Sequence, residues 1–500
     1  MPSRTDFNTR SAYLPQIPGY GLLPFRFARM NHNRVLVTND VGDHALLSER
    51  DFNSYVEKKL APTSDIYMDL RAKNFIIDGY SSVHARILAS RYRTKKSFLE
   101  GFTKLHIFVV SLRCDHSCPY CQVSRQSEDR HKYDMTLEIA QRGLDLMLKT
   151  PARGVTCEFQ GGEALLNFPL LKEMVAYVNE KNATIGKDIS FVICTNLSTL
   201  TDEHLEFFAA HKIKVSTSLD GPAVLHDKNR PFSKGSSHAV TVRNIVRAQE
   251  ALGVENVSAL MTTTKESLKY PKEILDEYLK LNFGSIFVRN LSPYGFAIKT
   301  AKAIGYSDSD FILFYKQLLG HVIEANKRGA NFSEAFATIV LQKTFTPFPI
   351  GYVDLQSPAG AGFGVVVYNY DGEVFASDES RMLAEMDDKK FRLGNVLENS
   401  YEEIFFGEVL QTIAAAACNE SLAGCSDCGF QPICGADPVY HYATQGDMFG
   451  NRAASGFCRK NMELIRYLIE LYYDGDDELR KILSAWIRHA SLAEMDSVPL

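Results

Sequence analysis

Three cysteines, Cys114, Cys118 and Cys121, stand in CxxxCxxC spacing within Ser-Leu-Arg-Cys-Asp-His-Ser-Cys-Pro-Tyr-Cys, residues 111–121. Three thiolates can neither close a tetrahedral zinc site nor complete a four-cysteine iron–sulfur site, so a cluster held here leaves one iron open to an outside ligand. A second group, Cys425, Cys428, Cys434 and Cys458, starts with a CxxC pair and has enough sulfur to close a site by itself. Spacing does not separate zinc from a cubane there. Cys157 and Cys194 fall inside strand-like runs and read as buried structural thiols, and Cys418 as a buried helix cysteine. Other polar groups follow in order. Gln160-Gly161-Gly162-Glu163 sets a carboxylate that can take an ammonium beside two glycines that let backbone approach a ligand. Thr195-Asn196 offers a hydroxyl and an amide. Ser218-Leu219-Asp220-Gly221-Pro222, then His226-Asp227 and Arg230, comes next, and Arg289 last.

Positioning these groups requires a repeating frame. Apolar runs predict strands at 105–110, 155–159, 189–194, 213–218, 257–261 and 285–289. Amphipathic helices are predicted between them, over 136–149, 168–182 and 240–252. Six strand–helix units imply an α/β fold, a parallel sheet curling into a partial barrel, with chemistry on loops at the strands' C-terminal ends. The cysteine loop, Gly161-Gly162-Glu163, Thr195-Asn196 and Ser218-Leu219-Asp220 fall at or just past such strand ends, and Arg289 closes the sixth strand. Before the barrel, strands at 34–38 and 44–47 and helices at 49–60 and 65–73, capped by Ser48 and Ser64, predict a small module. A basic helical stretch, 82–100, follows it. Beyond the barrel, helices are predicted at 308–329 and 332–341, a hairpin at 365–376 turning at Asp371-Gly372, and terminal helices at 461–473 and 477–489 with the sole tryptophan, Trp486.

The cysteine loop, with aromatic Tyr120 before its last cysteine, resembles that of the radical S-adenosylmethionine (SAM) superfamily. The resemblance implies a 4Fe-4S cluster on Cys114, Cys118 and Cys121 whose open iron is chelated by SAM, and whose electron cleaves SAM to a 5'-deoxyadenosyl radical. It makes these cysteines catalytic and sets Tyr120 against the cofactor. Gly161, Gly162 and Glu163 match the GGE motif that binds the amino group of SAM, although the usual following proline is Ala164. Thr195 and Asn196 would lie near the ribose or sulfonium, Ser218 at the ribose and Arg230 at the SAM carboxylate. Asp220 would contact SAM or act as a base towards substrate, and Arg289 would meet adenine or carboxylate.

The C-terminal cysteines resemble the SPASM extension of that superfamily, where two auxiliary clusters are usual. Ligands of the nearer cluster are absent: Ala359, Ala376-Ser377 and Asp437-Pro438 stand where cysteines would. One auxiliary 4Fe-4S cluster is therefore implied, on Cys425, Cys428, Cys434 and Cys458. The N-terminal module looks like the winged-helix peptide-recognition domain of ribosomal-peptide-modifying enzymes, which adds a leader peptide to an exposed sheet edge. A structural cap with no ligand is the plain alternative. The resulting layout is an arm at 1–24, the module and linker helix at 25–100, the barrel at 101–300, a helical bridge at 301–355, a SPASM-like domain at 356–460 and terminal helices at 461–500.

The thiol-free stretches Ser-Pro-Ala-Gly-Ala-Gly and Asp-Glu-Ser-Arg-Met-Leu bring the likeness nearest to the maturases of His-Xaa-Ser repeat peptide systems. The expected function is hydrogen abstraction from a side chain of a ribosomally made precursor peptide, closing an intrapeptide crosslink, a C–C cyclophane or an ether. The expected partners are that precursor peptide and an external one-electron reductant. Alternatives are an anaerobic sulfatase-type formylglycine maturase, a peptide epimerase, or a non-enzymatic leader-binding electron-transfer scaffold. The whole chain of 500 residues is consistent with several domains. Its net charge of −5 argues against a broad nucleic-acid surface. With no apolar run of about 18 residues and no hydrophobic signal core, a cytoplasmic protein is expected, a reducing compartment that suits clustered cysteines on metal.

Overall fold

The computed structural model describes residues 19–495 apart from 80–82, 122, 124 and 128. Residues 1–18 of the expected arm, and Ser82 at the start of the expected linker helix, lie outside them. Strand β1 (Gly21–Leu22) opens the described chain, followed by β2 (Arg26–Met30), β3 (Arg34–Thr38) and β4 (His44–Ser48), which form an antiparallel sheet in the order β2-β3-β4. Ser48 and Ser64 cap helices Glu49–Val56 and Asp65–Ala72 by accepting from Asp51 N and Tyr67 N, as expected. Strand β5 (Ile76–Ile77) then returns to pair with β1. Alternation splits this sheet between two cores. Val35, Val37, Ala45 and Leu47 pack under the module's own helices with Tyr55, Tyr67 and Leu70. Met30 and Leu36 enter the main core on the other face. Full burial of Leu36 contributes roughly 2 kcal/mol to that join.

The barrel strands are β6 (Leu105–Ser111), β7 (Gly154–Gly161), β8 (Asp188–Cys194), β9 (Lys214–Ser218), β10 (Val257–Thr262) and β11 (Ser285–Arg289), all parallel to their neighbours. Each lies within two residues of its expected bounds. Four short strands extend the sheet: β12 (Ser333–Glu334) beside β11 at one end, and β13 (Val365–Tyr368), β14 (Glu373–Phe375) and the outermost β15 (Arg392–Asn395) beyond β6 at the other. The expected helix over 332–341 consequently starts at Ala335, capped by the Glu334 side chain.

The hairpin β13–β14, expected within a separate C-terminal domain, instead continues the barrel sheet. β13 runs parallel to β6, Val365 opposite Leu105 through Tyr368 opposite Phe108. An uncovered β6 edge would leave a row of buried N–H and C=O groups without partners, and β13 supplies them. Helices Gly456–Asp474 and Asp477–Arg488 pack on Asp308–Lys327 and Ala335–Phe345, with Trp486 in the core. No described helix is long and apolar enough to cross a membrane.

Candidate active site

The cysteine loop leaves β6 under tight control. Arg113 clamps Asp134 through two hydrogen bonds of 2.7 Å and reaches Leu166 O at 2.7 Å, while Ser111 Oγ donates to the same carboxylate. Across the loop, Gly162 N donates to Ser111 O at 2.8 Å and Glu163 N to Arg113 O at 2.7 Å. A Cβ on Gly162 would stand 2.7 Å from Leu112 O and nearer still to Arg113 O. The two glycines thus admit the backbone of the cysteine loop itself, in addition to lining the cavity below. Gly162→Ala is expected to push that loop aside and weaken SAM binding by about tenfold or more, read by titrating SAM into reconstituted protein.

A buried relay holds the other side of the loop. Asp220 N–H donates to His226 Nδ1 at 3.3 Å, which puts the ring proton on Nε2, 3.1 Å from Ser237 Oγ. The Ser237 hydroxyl then donates to His116 Nε2 at 2.8 Å, and His116 Nδ1 donates to Asp115 Oδ1 at 2.8 Å. Burial would raise Asp115, but hydrogen bonds from His116, Ser198 and Asn196 outweigh it and hold the carboxyl at about 2. Cys114, Asp115 and His116 have ligand atoms within 4.8 Å of one another. Both ring nitrogens of His116 and both carboxylate oxygens of Asp115 are already engaged, so these two serve as scaffold beside Cys114 and not as fellow ligands of a metal.

Eleven expected site residues converge on one cavity of about 220 Å³: Cys114, Cys118, Tyr120, Cys121, Gly161, Gly162, Thr195, Asn196, Ser218, Arg230 and Arg289. Two do not line it. Glu163 is fully buried, accepting from Thr195 Oγ1 at 2.6 Å, Asn196 N at 2.7 Å and Leu165 N at 3.0 Å. Burial pushes it up to about 7 against those three hydrogen bonds. Its carboxylate organises the Thr195-Asn196 turn, and Asn196 Nδ2 in turn holds Asp115 at 2.9 Å. Asp220, expected at SAM or as a base, is likewise fully buried behind the wall. It accepts from the Tyr120 hydroxyl and from Thr262 N, and its carboxylate lies 3.6 Å from Arg230 Nε. Arg230 also lies over the Tyr120 ring at 5.6 Å. Asp220 therefore steadies three lining residues, Tyr120, Thr262 and Arg230, and does not itself face the cavity. Cys194, expected in the core, borders the cavity with its thiol 3.4 Å from Glu158, because its neighbour Ile193 takes the core-facing side of β8. Cys157 is buried as expected. Thr262 and Met382 also line the cavity. Thr262 ends β10, a position the strand-end rule could have flagged, whereas Met382 comes from a distant helix with no local signal.

The donor set fits a cluster. Burial raises the Cys114 thiol, and it pushes Cys118 up to about 12 even with Arg230 nearby. A bound metal would stabilise their deprotonated form. The distal four behave alike: burial and the neighbouring Cys428, Cys425 and Cys458 push Cys434 up to about 12, so these sulfurs face one another. Cys458 sits in the first turn of a helix, whose N-terminus favours a thiolate. Tetrahedral zinc would bring sulfurs to about 3.8 Å. Among the described residues no three of these four have sulfurs within 4.8 Å of one another. Cys418 ends helix Glu408–Ala417 and faces Glu420 and Lys96, apart from the four.

The thiol-free positions also come together. Ala359, Ser377, Asp437 and Pro438 line a second cavity of about 260 Å³, which shares Gln160, Leu260, Arg289 and Asp378 with the first. Arg289, paired with Glu379 at 3.3 Å, stands at the junction. Burial pushes Asp437 up to about 6, with Asp354 adding to it and the Tyr440 N–H hydrogen bond opposing it. A folded-state value above the unfolded one means stability present below about pH 4 is lost as pH rises through 6. Asp437→Asn, which keeps the helix cap, is expected to stabilise the protein at pH 7.5 by up to about 3 kcal/mol and progressively less towards pH 5, measured by denaturant unfolding.

The N-terminal sheet is bolted to the distal cysteine loop. Phe27 makes a parallel bridge to Cys428, Thr38 Oγ1 donates to Gly429 O at 2.9 Å, and Arg26 Nε donates to Ser426 O. A Cβ on Gly429 would stand 2.5 Å from Ala28 N, so only glycine permits this approach. One sheet edge is thereby taken. β4 forms the other, and no described strand pairs with its far side.

A model described as the radical SAM superfamily matches residues 108–278. An uncharacterised protein of Methanocaldococcus jannaschii is 27% identical over 189 residues, 37% of this chain and 62% of that protein, so the chain spans under two thirds of that relative's length. A cysteine-type anaerobic sulfatase-maturating enzyme of Clostridium novyi is 21% identical over 380 residues, 72% of this chain and 95% of the relative. Among solved structures, native anSMEcpe with bound AdoMet is similar at a TM-score of 0.61 and 17% identity, covering 76% of this chain and 99% of its own. Streptococcus suis SuiB bound to precursor peptide SuiA gives 0.51 and 14%, covering 88% and 100%. These structures share the fold. The superfamily match supports a 4Fe-4S cluster and SAM as cofactors, and the distal four cysteines suit one auxiliary 4Fe-4S cluster. Over its barrel segment, residues 108–278, the chain matches the radical SAM superfamily.

Proposed function

We propose that the protein is a radical SAM enzyme that modifies a ribosomally made precursor peptide, abstracting a side-chain hydrogen and closing an intrapeptide crosslink. The observation that carries this reading is the continuity of the two cavities: the eleven converging residues open through Arg289 onto a space large enough for a second side chain. When bound, the cluster and SAM supply a one-electron cleavage that yields a hydrogen-abstracting carbon radical. Cys114, Cys118 and Cys121 hold the cluster, the Gly161-Gly162 backbone and Arg230 orient SAM, and Thr195, Asn196 and Ser218 supply hydroxyl and amide contacts. Apolar Leu260 and Met382 exclude water beside the reacting carbon. Cys425, Cys428, Cys434 and Cys458 hold the auxiliary cluster, an outlet for the electron left when a crosslink forms. The free edge of β4 receives a leader peptide as an added strand. The thiol-free second cavity keeps the His-Xaa-Ser maturase likeness as the preferred branch.

Two measurements test this. Anaerobic reconstitution is expected to give about eight irons per chain, falling to about four in Cys425→Ala, while about twelve would favour three clusters. Co-expression with the peptide of an adjacent small reading frame is expected to remove about two hydrogens per crosslink and suppress fragmentation between the joined residues. The sulfatase-type reading is kept alive by the Clostridium relative, and it requires an aldehyde that a hydrazide probe would label. An unchanged peptide mass would point to epimerisation, and absence of SAM cleavage to a scaffold.

A further inference from the structure

Beyond Arg289 the second cavity continues into a third of about 90 Å³, sharing Tyr352, Asp354, Glu379 and Asp437 with it. Together they are lined by five carboxylates, those of Glu158, Asp354, Asp378, Glu379 and Asp437, against the two cations Arg289 and Lys460. Ion pairs account for Glu379, held by Arg289, and Asp378, held by Arg381 at 3.1 Å. Among the described residues no ion pair is made by Glu158, Asp354 or Asp437. The chamber is therefore built with more negative charge than it neutralises, in surroundings where burial makes that costly.

A second observation is independent of charge. The Tyr294 hydroxyl, on a residue 1% exposed, lies among Asp437, Glu379 and Asp354 with no hydrogen-bond partner, and Asn461 Nδ2, on a residue 1% exposed, has none either. Both line the third cavity. A buried polar group left unpaired is costly, so these two are arranged for something that enters. Water could satisfy the hydroxyl and the amide, but it carries no charge to answer three carboxylates that have hydrogen bonds and no ion pair.

We infer that this chamber binds a cationic side chain of the substrate peptide, a lysine ammonium or an arginine guanidinium, with peptide carbonyls accepting from Tyr294 and Asn461. The inference rests on the peptide-modifying reading above and adds to it a rule of substrate choice. Because the chamber opens on the SAM cavity through Gln160, Leu260, Arg289 and Asp378, the cation belongs to a residue close in sequence to the one that reacts.

The test uses full-length reconstituted protein with SAM, titrated calorimetrically with blocked pentapeptides acetyl-Gly-Ala-Xaa-Ala-Gly-amide, Xaa being lysine, arginine, norleucine or glutamate. Lysine and arginine peptides are expected to bind about tenfold tighter than the norleucine peptide, with the advantage shrinking in high salt. The Asp354→Asn/Asp437→Asn double variant is expected to lose that preference. Equal binding of norleucine, no binding by any of the four, or a preference that survives in the folded double variant overturns the inference. The comparison among peptides on unaltered protein decides the matter alone if the double variant misfolds. SAM cleavage is followed in the same samples after addition of excess dithionite as one-electron reductant: cleavage without a cation preference sinks this inference only, whereas no cleavage at all sinks the enzymatic reading beneath it.

Discussion

Cys118→Ala leaves the first site with two sulfurs, and reductive cleavage of SAM is expected to fall at least about a thousandfold, to the level of protein without iron. The thiol is buried, sits beside Arg230 and lines the cavity, so no described side chain stands ready to replace it. Iron content is expected to drop from about eight to about four while the distal cluster keeps its electron paramagnetic resonance signal. The fold should persist, because the loop is held by Arg113–Asp134, by Ser117 N on Pro231 O at 3.0 Å and by His116 stacked on Phe232, none of which involves this sulfur. Substantial SAM cleavage by the variant would refute the assignment of these three cysteines as the cluster site.

Glu163→Ala is expected to cost about 3–5 kcal/mol of stability and to weaken SAM binding about a hundredfold, without the side chain lining the SAM cavity. Three donors, from Thr195, Asn196 and Leu165, converge on a fully buried carboxylate, and each loses its acceptor. The Asn196 turn then loosens its hold on Asp115, inside the cysteine loop. Glu163→Gln keeps the shape but turns an NH₂ group towards one of the donors, so an intermediate loss of about 2 kcal/mol is expected. Urea unfolding and SAM titration of the two variants read this ranking. A glutamine variant matching the unaltered protein in both would mean that the carboxylate does not organise the turn.

Strands, caps and the order of strand-end groups were legible because each is written locally. Runs such as Leu105–Val110 need only their own six residues to be recognised, and Ser48 only the three that follow it. Direction was harder to read. Whether Glu163 and Asp220 point at a ligand or into the wall depends on donors delivered by other loops, Thr195-Asn196 for one and Tyr120 with Thr262 for the other. Cys194 shows the same limit, since a one-residue change of phase decides between core and cavity. The attachment of β13 to β6 joins segments about 260 residues apart, and an antiparallel hairpin gives no hint that its outer edge will be claimed in parallel. The acidic chamber draws its carboxylates from residues 158, 354, 378–379 and 437, separate stretches none of which is unusually acidic.

The seam where Phe27 bridges Cys428 makes two distant parts of the molecule share one free-energy balance. Under the proposed function, iron bound at the loop after Cys425 would also firm the neighbouring strand, and linkage would require the converse to the same degree. A guest seated on the small sheet that favours the iron-loaded arrangement would slow the stripping of iron by a chelator, and stripping would loosen the guest by an equal factor. Metal loading and cargo capture would then act as mutual checkpoints, so that an incompletely assembled copy of the protein holds its cargo less well.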